Sequence, residues 1–79
     1  MSEQLGPRMR FVSFATGKYT VIFRGNEGHG IQKDEVQVHA SSAKEAVKKA
    51  YDEAFNMMYT GVEILKVVDP SGKLVTSGW

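Results

Sequence analysis

The chain has no cysteine, so it can form neither a disulfide nor a thiolate metal site, and it has no cysteine nucleophile. No run of apolar residues approaches the roughly 20 that a membrane-spanning helix requires, and Met1 to Arg8 lack the apolar stretch of a secretion signal. The expected location is therefore the cytoplasm, without membrane association. Charge of one sign is missing as well: ten Lys and Arg stand against nine Asp and Glu, for a net charge of +1. A protein that binds a phosphate backbone normally carries a clear cationic surplus, so the balance names no partner. Histidine is scarce, and His29 with His39 is too small a set for a zinc site of three or four nitrogen or sulfur ligands. The serines Ser13, Ser41, Ser42, Ser71 and Ser77 have no Ser/His/Asp pattern around them. A chain of 79 residues also leaves little room for a deep pocket. These absences together predict a non-enzymatic protein with no cofactor and no metal.

What is present is the patterning of one small core. Gly6-Pro7 punctuates the start, so residues 1–7 read as a disordered leader and residues 8–79 as a single α+β domain. Met9–Phe14 and Lys18–Arg24 are rich in aromatic and branched residues and predict a β-hairpin. In the second of these, Tyr19, Val21 and Phe23 share one face, turned to the core, while Thr20, Ile22 and Arg24 share the other. Gly25, Gly28 and Gly30 then predict a mobile loop running to about Lys33. Glu35–Ala40 alternates polar with apolar, as a strand with one wet face does, placing Val36, Val38 and Ala40 inward. Ser42 with Glu45 three residues on forms a capping box, and Ala43–Met58 carries apolar residues at steps of three and four. One amphipathic helix should therefore lie on the sheet through an alanine-rich stripe, with Val47, Met57 and Met58 supplying bulk. Val62–Val68 predicts a further strand whose apolar residues fall on both faces, which calls for either a bulge or a cover over the second face, such as a dimer interface. Asp69-Pro70-Ser71-Gly72 fits a type I turn into a short last strand at Lys73–Thr76. The expected fold is an antiparallel β-sheet of order βββαββ with the helix packed on one face.

For function, the glycine loop lacks the Gly-Lys-Ser/Thr helix start of a phosphate cradle, so it reads as a contact loop between strands. Arg8, Arg10, Lys18 and Arg24 gather in the hairpin half beside Phe11, Phe14 and Tyr19, a set that would suit nucleic acid through base stacking and phosphate contacts. Met57-Met58-Tyr59 at the helix end, Ile22 on the free face and Trp79 at the C-terminus are the apolar groups that read as exposed, with part of the set expected in the core. Trp79 is expected either to tuck against the sheet or to meet a partner.

The hairpin, the third strand, the Ala40-Ser41-Ser42-Ala43-Lys44-Glu45-Ala46-Val47-Lys48-Lys49-Ala50 stretch and the closing Val62–Leu65 strand with a Gly-Lys turn resemble short accessory proteins of bacteriophages, including some anti-CRISPR proteins. Lys18–Phe55 is also similar to antitoxin domains of HicB type, without their glycine-glycine-tyrosine element or DNA-binding segment. The first resemblance implies a protein that binds and obstructs a host protein or nucleoprotein complex. The sequence thus predicts a protein-interaction module of this inhibitor type, with Arg24, His29, Lys33 and Trp79 as its contact residues. The alternatives are a nucleic-acid-binding protein using Arg8, Arg10, Lys18 and Arg24, and a homodimeric structural protein paired through Val62–Val68.

Overall fold

A computed structural model describes residues 16–79 of the chain. The predicted leader and the predicted strand at Met9–Phe14, with Arg8 and Arg10, lie outside the described residues. Within them the order is β1 (Gly17–Asn26), β2 (Ile31–Ala40), α1 (Ala43–Asn56), β3 (Thr60–Val68) and β4 (Leu74–Val75). The four strands form one antiparallel sheet, ordered β2-β1-β3-β4. This is a small α+β fold with a curled, half-barrel sheet and one helix.

The hairpin differs from the one the sequence suggested. β1 is paired on one side with β2 and on the other with β3, so the hairpin is β1–β2. The long mobile loop is also corrected. Gly25 is buried inside β1 and Ile31–Lys33 belong to β2, which leaves Glu27–Gly30 as the connection. That connection is pinned where it begins, because the Gly28 N–H donates to Asn26 Oδ1 at 2.7 Å. Gly25 is a glycine because of crowding: a Cβ there would lie 3.1 Å from the Tyr59 ring and 3.2 Å from the Thr60 carbonyl oxygen.

The helix starts where its cap predicts. Ser42 Oγ accepts the Glu45 N–H at 3.1 Å, and Glu45 Oε1 in turn accepts both the N–H and the hydroxyl of Ser41 at 2.7 Å, one residue earlier than a standard capping box. These bonds to Ser41 hold the Glu45 carboxyl below its usual range, assisted by Lys49. Ala46, Ala50 and Ala54, spaced four apart, are completely buried. With no side chain beyond Cβ, they let the helix backbone settle close to the sheet. Ala46 and Ala50 meet Val21, Val38, Ala40 and Val67; Ala54 meets Phe23 and Tyr59.

The helix end corrects two further expectations. α1 stops at Asn56, not at Met58, and neither Met57 nor Met58 joins the core: Met58 is 78% exposed. Tyr59, expected at the surface, is buried edge-on against Phe23, with ring centroids 5.1 Å apart. A phenol ring fills the space at the end of the helix better than a flexible thioether, and its hydroxyl donates to Asp34 Oδ2 at 2.9 Å.

β3 resolves the two-faced pattern of Val62–Val68. Its register against β1 shifts twice, between Ile22 and Phe23 and between Arg24 and Asn26. The first shift inserts Leu65 as an extra residue, so that both Ile64 and Val67 reach the helix side. The second falls at Gly61, whose φ of +60° suits the left-handed turn of a bulge. Two bulges in one strand curl the sheet, and they account for the pattern without a cover on the second face. The Asp69–Gly72 turn forms as expected, with the Gly72 N–H donating to the Asp69 carbonyl at 2.9 Å. Asp69 Oδ1 accepts the Ser71 hydroxyl and the N–H groups of Ser71 and Lys73, which lowers the Asp69 carboxyl pKa. β4 is shorter than expected, at two residues.

Candidate functional site

Because successive side chains of a strand point to opposite faces, everything that does not meet α1 is displayed together on the other side of the sheet. From β1 these are Lys18, Thr20, Ile22, Arg24 and Asn26, and their direct partners on β2 are His39, Gln37, Glu35, Lys33 and Ile31. β3 adds Glu63 opposite Arg24 and Lys66 opposite Ile22. Among the described residues no helix or strand covers this face.

Its rows have a definite composition. One runs Lys33–Arg24–Glu63 and the next Glu35–Ile22–Lys66. Arg24 is held by Glu63, with Nε 2.8 Å and Nη2 2.7 Å from Oε1. Both side chains are more than half exposed, so the pair orients the guanidinium more than it stabilises the fold. Lys33 lies directly across from Arg24, and two like charges opposed in a sheet are unfavourable. Between the rows lies an open hollow of about 440 Å³ lined by Ile22, Lys33, Asp34, Glu35, Leu65 and Lys66. A second one of about 470 Å³, nearer the hairpin tip, is bordered by Arg24, Asn26, Ile31, Thr60, Gly61 and Glu63. Ile22 and Leu65 are half-buried at the floor of the first hollow, and Ile31, 75% exposed, borders the second on the far side of the Lys33–Arg24–Glu63 row.

The residues picked from sequence are distributed unevenly over this geometry. Arg24 and Lys33 are neighbours on the free face, and His29 stands exposed in the adjoining tip loop. Trp79 is elsewhere, at the β4 edge, where its indole Nε1–H donates to the Val75 carbonyl at 2.9 Å and the ring remains 41% exposed. It is therefore anchored and displayed at once. Lys18 is exposed on the same face as Arg24, at the opposite end of β1 from the tip. Glu35, Glu63, Leu65 and Lys66 escaped the sequence reading. Alternation had already put Glu35 on the wet side, but the bulge that sets Leu65 beside Ile22 depends on a register that no local pattern encodes.

Compared with known protein families, curated proteins and solved structures, the chain matches none. Its function is therefore argued from its surface chemistry. Among the described residues, no three His, Asp or Glu stand together as a metal site, and no helix is long and apolar enough to cross a membrane.

Among the described residues the group moved furthest from its usual pKa is Tyr59, pushed up to about 12. Its hydroxyl donates to the Asp34 carboxylate, and burial and the negative charges of Asp34 and Glu27 add to the effect. A phenol held protonated in this way serves packing, because it faces the core beside Phe23 and not either hollow. At the outer side of β2, two side chains take backbone groups: Asp34 Oδ1 accepts the Glu35 N–H at 2.8 Å, and Lys49 Nζ donates to the His39 carbonyl at 2.6 Å.

Proposed function

We propose that this chain is a non-enzymatic protein-interaction module that binds a protein partner through the free face of its sheet. The observation that carries this reading is the arrangement on that face. Ile22 and Leu65 form an apolar floor, and Arg24, Lys33, Lys66, Glu35 and Glu63 border it with both signs of charge, while Ile31 stands beyond the Lys33–Arg24–Glu63 row at the second hollow. An apolar centre within a charged rim is the usual anatomy of a protein–protein contact. The opposed cations Lys33 and Arg24 cost the fold some stability, and a carboxylate on the partner would offset that cost. Obstruction of a host protein or nucleoprotein complex, the task implied by the likeness to phage accessory proteins, is one use for such a face.

Nucleic acid is the weaker reading, since Glu35 and Glu63 interleave with the cations. Residues 16–79 also carry equal numbers of cationic and acidic side chains, whereas backbone binding to a polyanion is driven by a cationic surplus.

The test is capture from a bacterial lysate with the full chain, with and without nuclease, against Leu65→Glu and the double variant Arg24→Ala, Lys33→Ala. A stoichiometric, nuclease-resistant protein retained by the wild type and lost by both variants supports the free-face reading. The double variant should stay within about 0.5 kcal/mol of wild-type stability, because both side chains are exposed. Retention by both variants, or recovery of nucleic acid alone, defeats the assignment.

A further inference from the structure

Four exposed charged side chains mark the corners of a rectangle on the free face, and their signs alternate around it. Lys33 and Glu35 lie on β2, Glu63 and Lys66 on β3, with Arg24 and Ile22 between them on β1. One row runs from Lys33 to Glu63 and the other from Glu35 to Lys66, so each cation has a carboxylate at both adjacent corners. The apolar floor of Ile22 and Leu65 lies between the corners. Asp34, at the border of the same hollow, is already taken by the Tyr59 hydroxyl and the Glu35 N–H.

This pattern depends on a bulge. Glu63 and Lys66 are three residues apart, an odd spacing that sends the side chains of a regular strand to opposite faces. Their partners on β1, Arg24 and Ile22, are two apart, and the extra residue Leu65 takes up the difference. Both charges are thereby brought to one face, and re-aiming side chains in this way is a recurrent use of bulges beside functional surfaces. Among the described residues Lys33, Glu35 and Lys66 close no ion pair, so the arrangement returns little to the fold that holds it.

A face whose corner signs alternate is complementary to itself. A two-fold axis in the plane of the face, running across the strands between the two rows, sets Lys33 opposite Glu35 of the second copy and Glu63 opposite Lys66. The symmetry repeats each of these contacts. It also lays the Arg24 stem over Ile22 of the second copy, which keeps the two guanidinium groups apart and brings Leu65 near its own counterpart at the axis. A partner of uniform charge would instead meet like charge at half of the corners. With a net charge of +1, no long-range repulsion keeps two copies apart.

We infer that the free face docks against a second copy of this chain, as a two-fold dimer in which Ile22 and Leu65 supply the apolar contact and the four corners set the register. The inference rests on the free-face reading and names its partner. The carboxylate that offsets the opposed Lys33 and Arg24 is then Glu35 of the second copy. Three strands about 4.8 Å apart and about 34 Å long give on the order of 1,000 Å² over both copies, the low end for a specific interface, so the dimer forms reversibly with concentration.

The test is sedimentation equilibrium of the purified full chain over a wide range of concentration. The wild type should pass from the mass of one chain to that of two. Lys33→Glu, Lys66→Glu makes every corner negative and Glu35→Lys, Glu63→Lys makes every corner positive, so each double variant alone should self-associate at least about tenfold more weakly. An equimolar mixture of the two should regain the two-chain mass, which variants that had lost their fold could not do. A wild type monomeric at every concentration, a double variant that dimerises like the wild type, or a mixture that stays monomeric would each overturn the inference. A monomeric wild type that still captures a different protein from lysate, with capture lost in Leu65→Glu, overturns the second copy as occupant and leaves the free-face reading standing.

Discussion

Where β1 begins, the helix rests on Val21, Val38, Ala40 and Val67 through Ala46 and Ala50, with no polar atom involved. Toward the hairpin tip, one T-shaped Phe23–Tyr59 contact and one hydroxyl-to-carboxylate bond close the core beneath Ala54. The first region is built on close approach, so its tolerance for added volume is small. The second must hold together where the helix has ended and the chain reverses into β3. A large ring with a polar handle fixes both the volume and the direction of the turn, which aliphatic residues could not do alone. Two ways of closing one core thus divide the molecule, and they fail under different perturbations.

The largest effect should come from Phe23→Ala, which removes the principal ring of the tip region and leaves a cavity under Tyr59. A loss of about 3–5 kcal/mol is expected, read from urea unfolding, and a loss below about 1 kcal/mol would show that the aromatic contact is dispensable. Next is Ala50→Leu, an enlargement in the region of close approach. It should cost about 1–3 kcal/mol by forcing the helix off the sheet, whereas Phe55→Leu, on the uncovered side of the helix, should be nearly neutral. Smallest is Tyr59→Phe, which keeps the ring and deletes the bond to Asp34, lowering the thermal midpoint at neutral pH by about 4–8 °C. This third case carries a pH signature. With the folded pKa raised to about 12 from a usual 10.0, the stabilisation is fully present below pH 10 and is lost as pH rises toward 12. The wild-type advantage over Tyr59→Phe should therefore narrow across that window, and an advantage that stays constant would refute the Asp34 bond as its source.

How much of this was readable beforehand follows the same division. The region of close approach is a matter of period. Alternation in Val36, Val38 and Ala40, four-residue spacing in the alanines, the Ser42–Glu45 cap and the Asp69–Gly72 turn are all local, and each appears in the structure. The tip region depends on contacts far apart in sequence. Gly25 reads as a loop residue because a glycine's local preference is for turns, and only the approach of Tyr59 and Thr60 shows why a strand holds it. Met57 and Met58 read as core because helical phase carries on past Asn56, while the Schellman turn ends the helix and gives the buried place to Tyr59. On the free face the alternation of each strand was legible, and with it the side on which Arg24 and Ile22 sit. That Lys33 would stand across from Arg24, and Leu65 near Ile22, depends on hairpin register and on a bulge, both fixed by the assembled sheet.

The two side-chain bonds at the outer side of β2 bear on how the molecule behaves in a crowd. Among the described residues β2 is a ten-residue strand at the margin of the sheet, and such a strand is a template on which further copies can add and grow into fibres. In this chain the Glu35 N–H is already taken by Asp34 and the His39 carbonyl by Lys49. An incoming strand would have to break both bonds to pair along the whole margin, and Lys49 would bring a positive charge to meet it. Tyr59, by gripping Asp34 from the core side, ties this resistance to aggregation to the folded state itself.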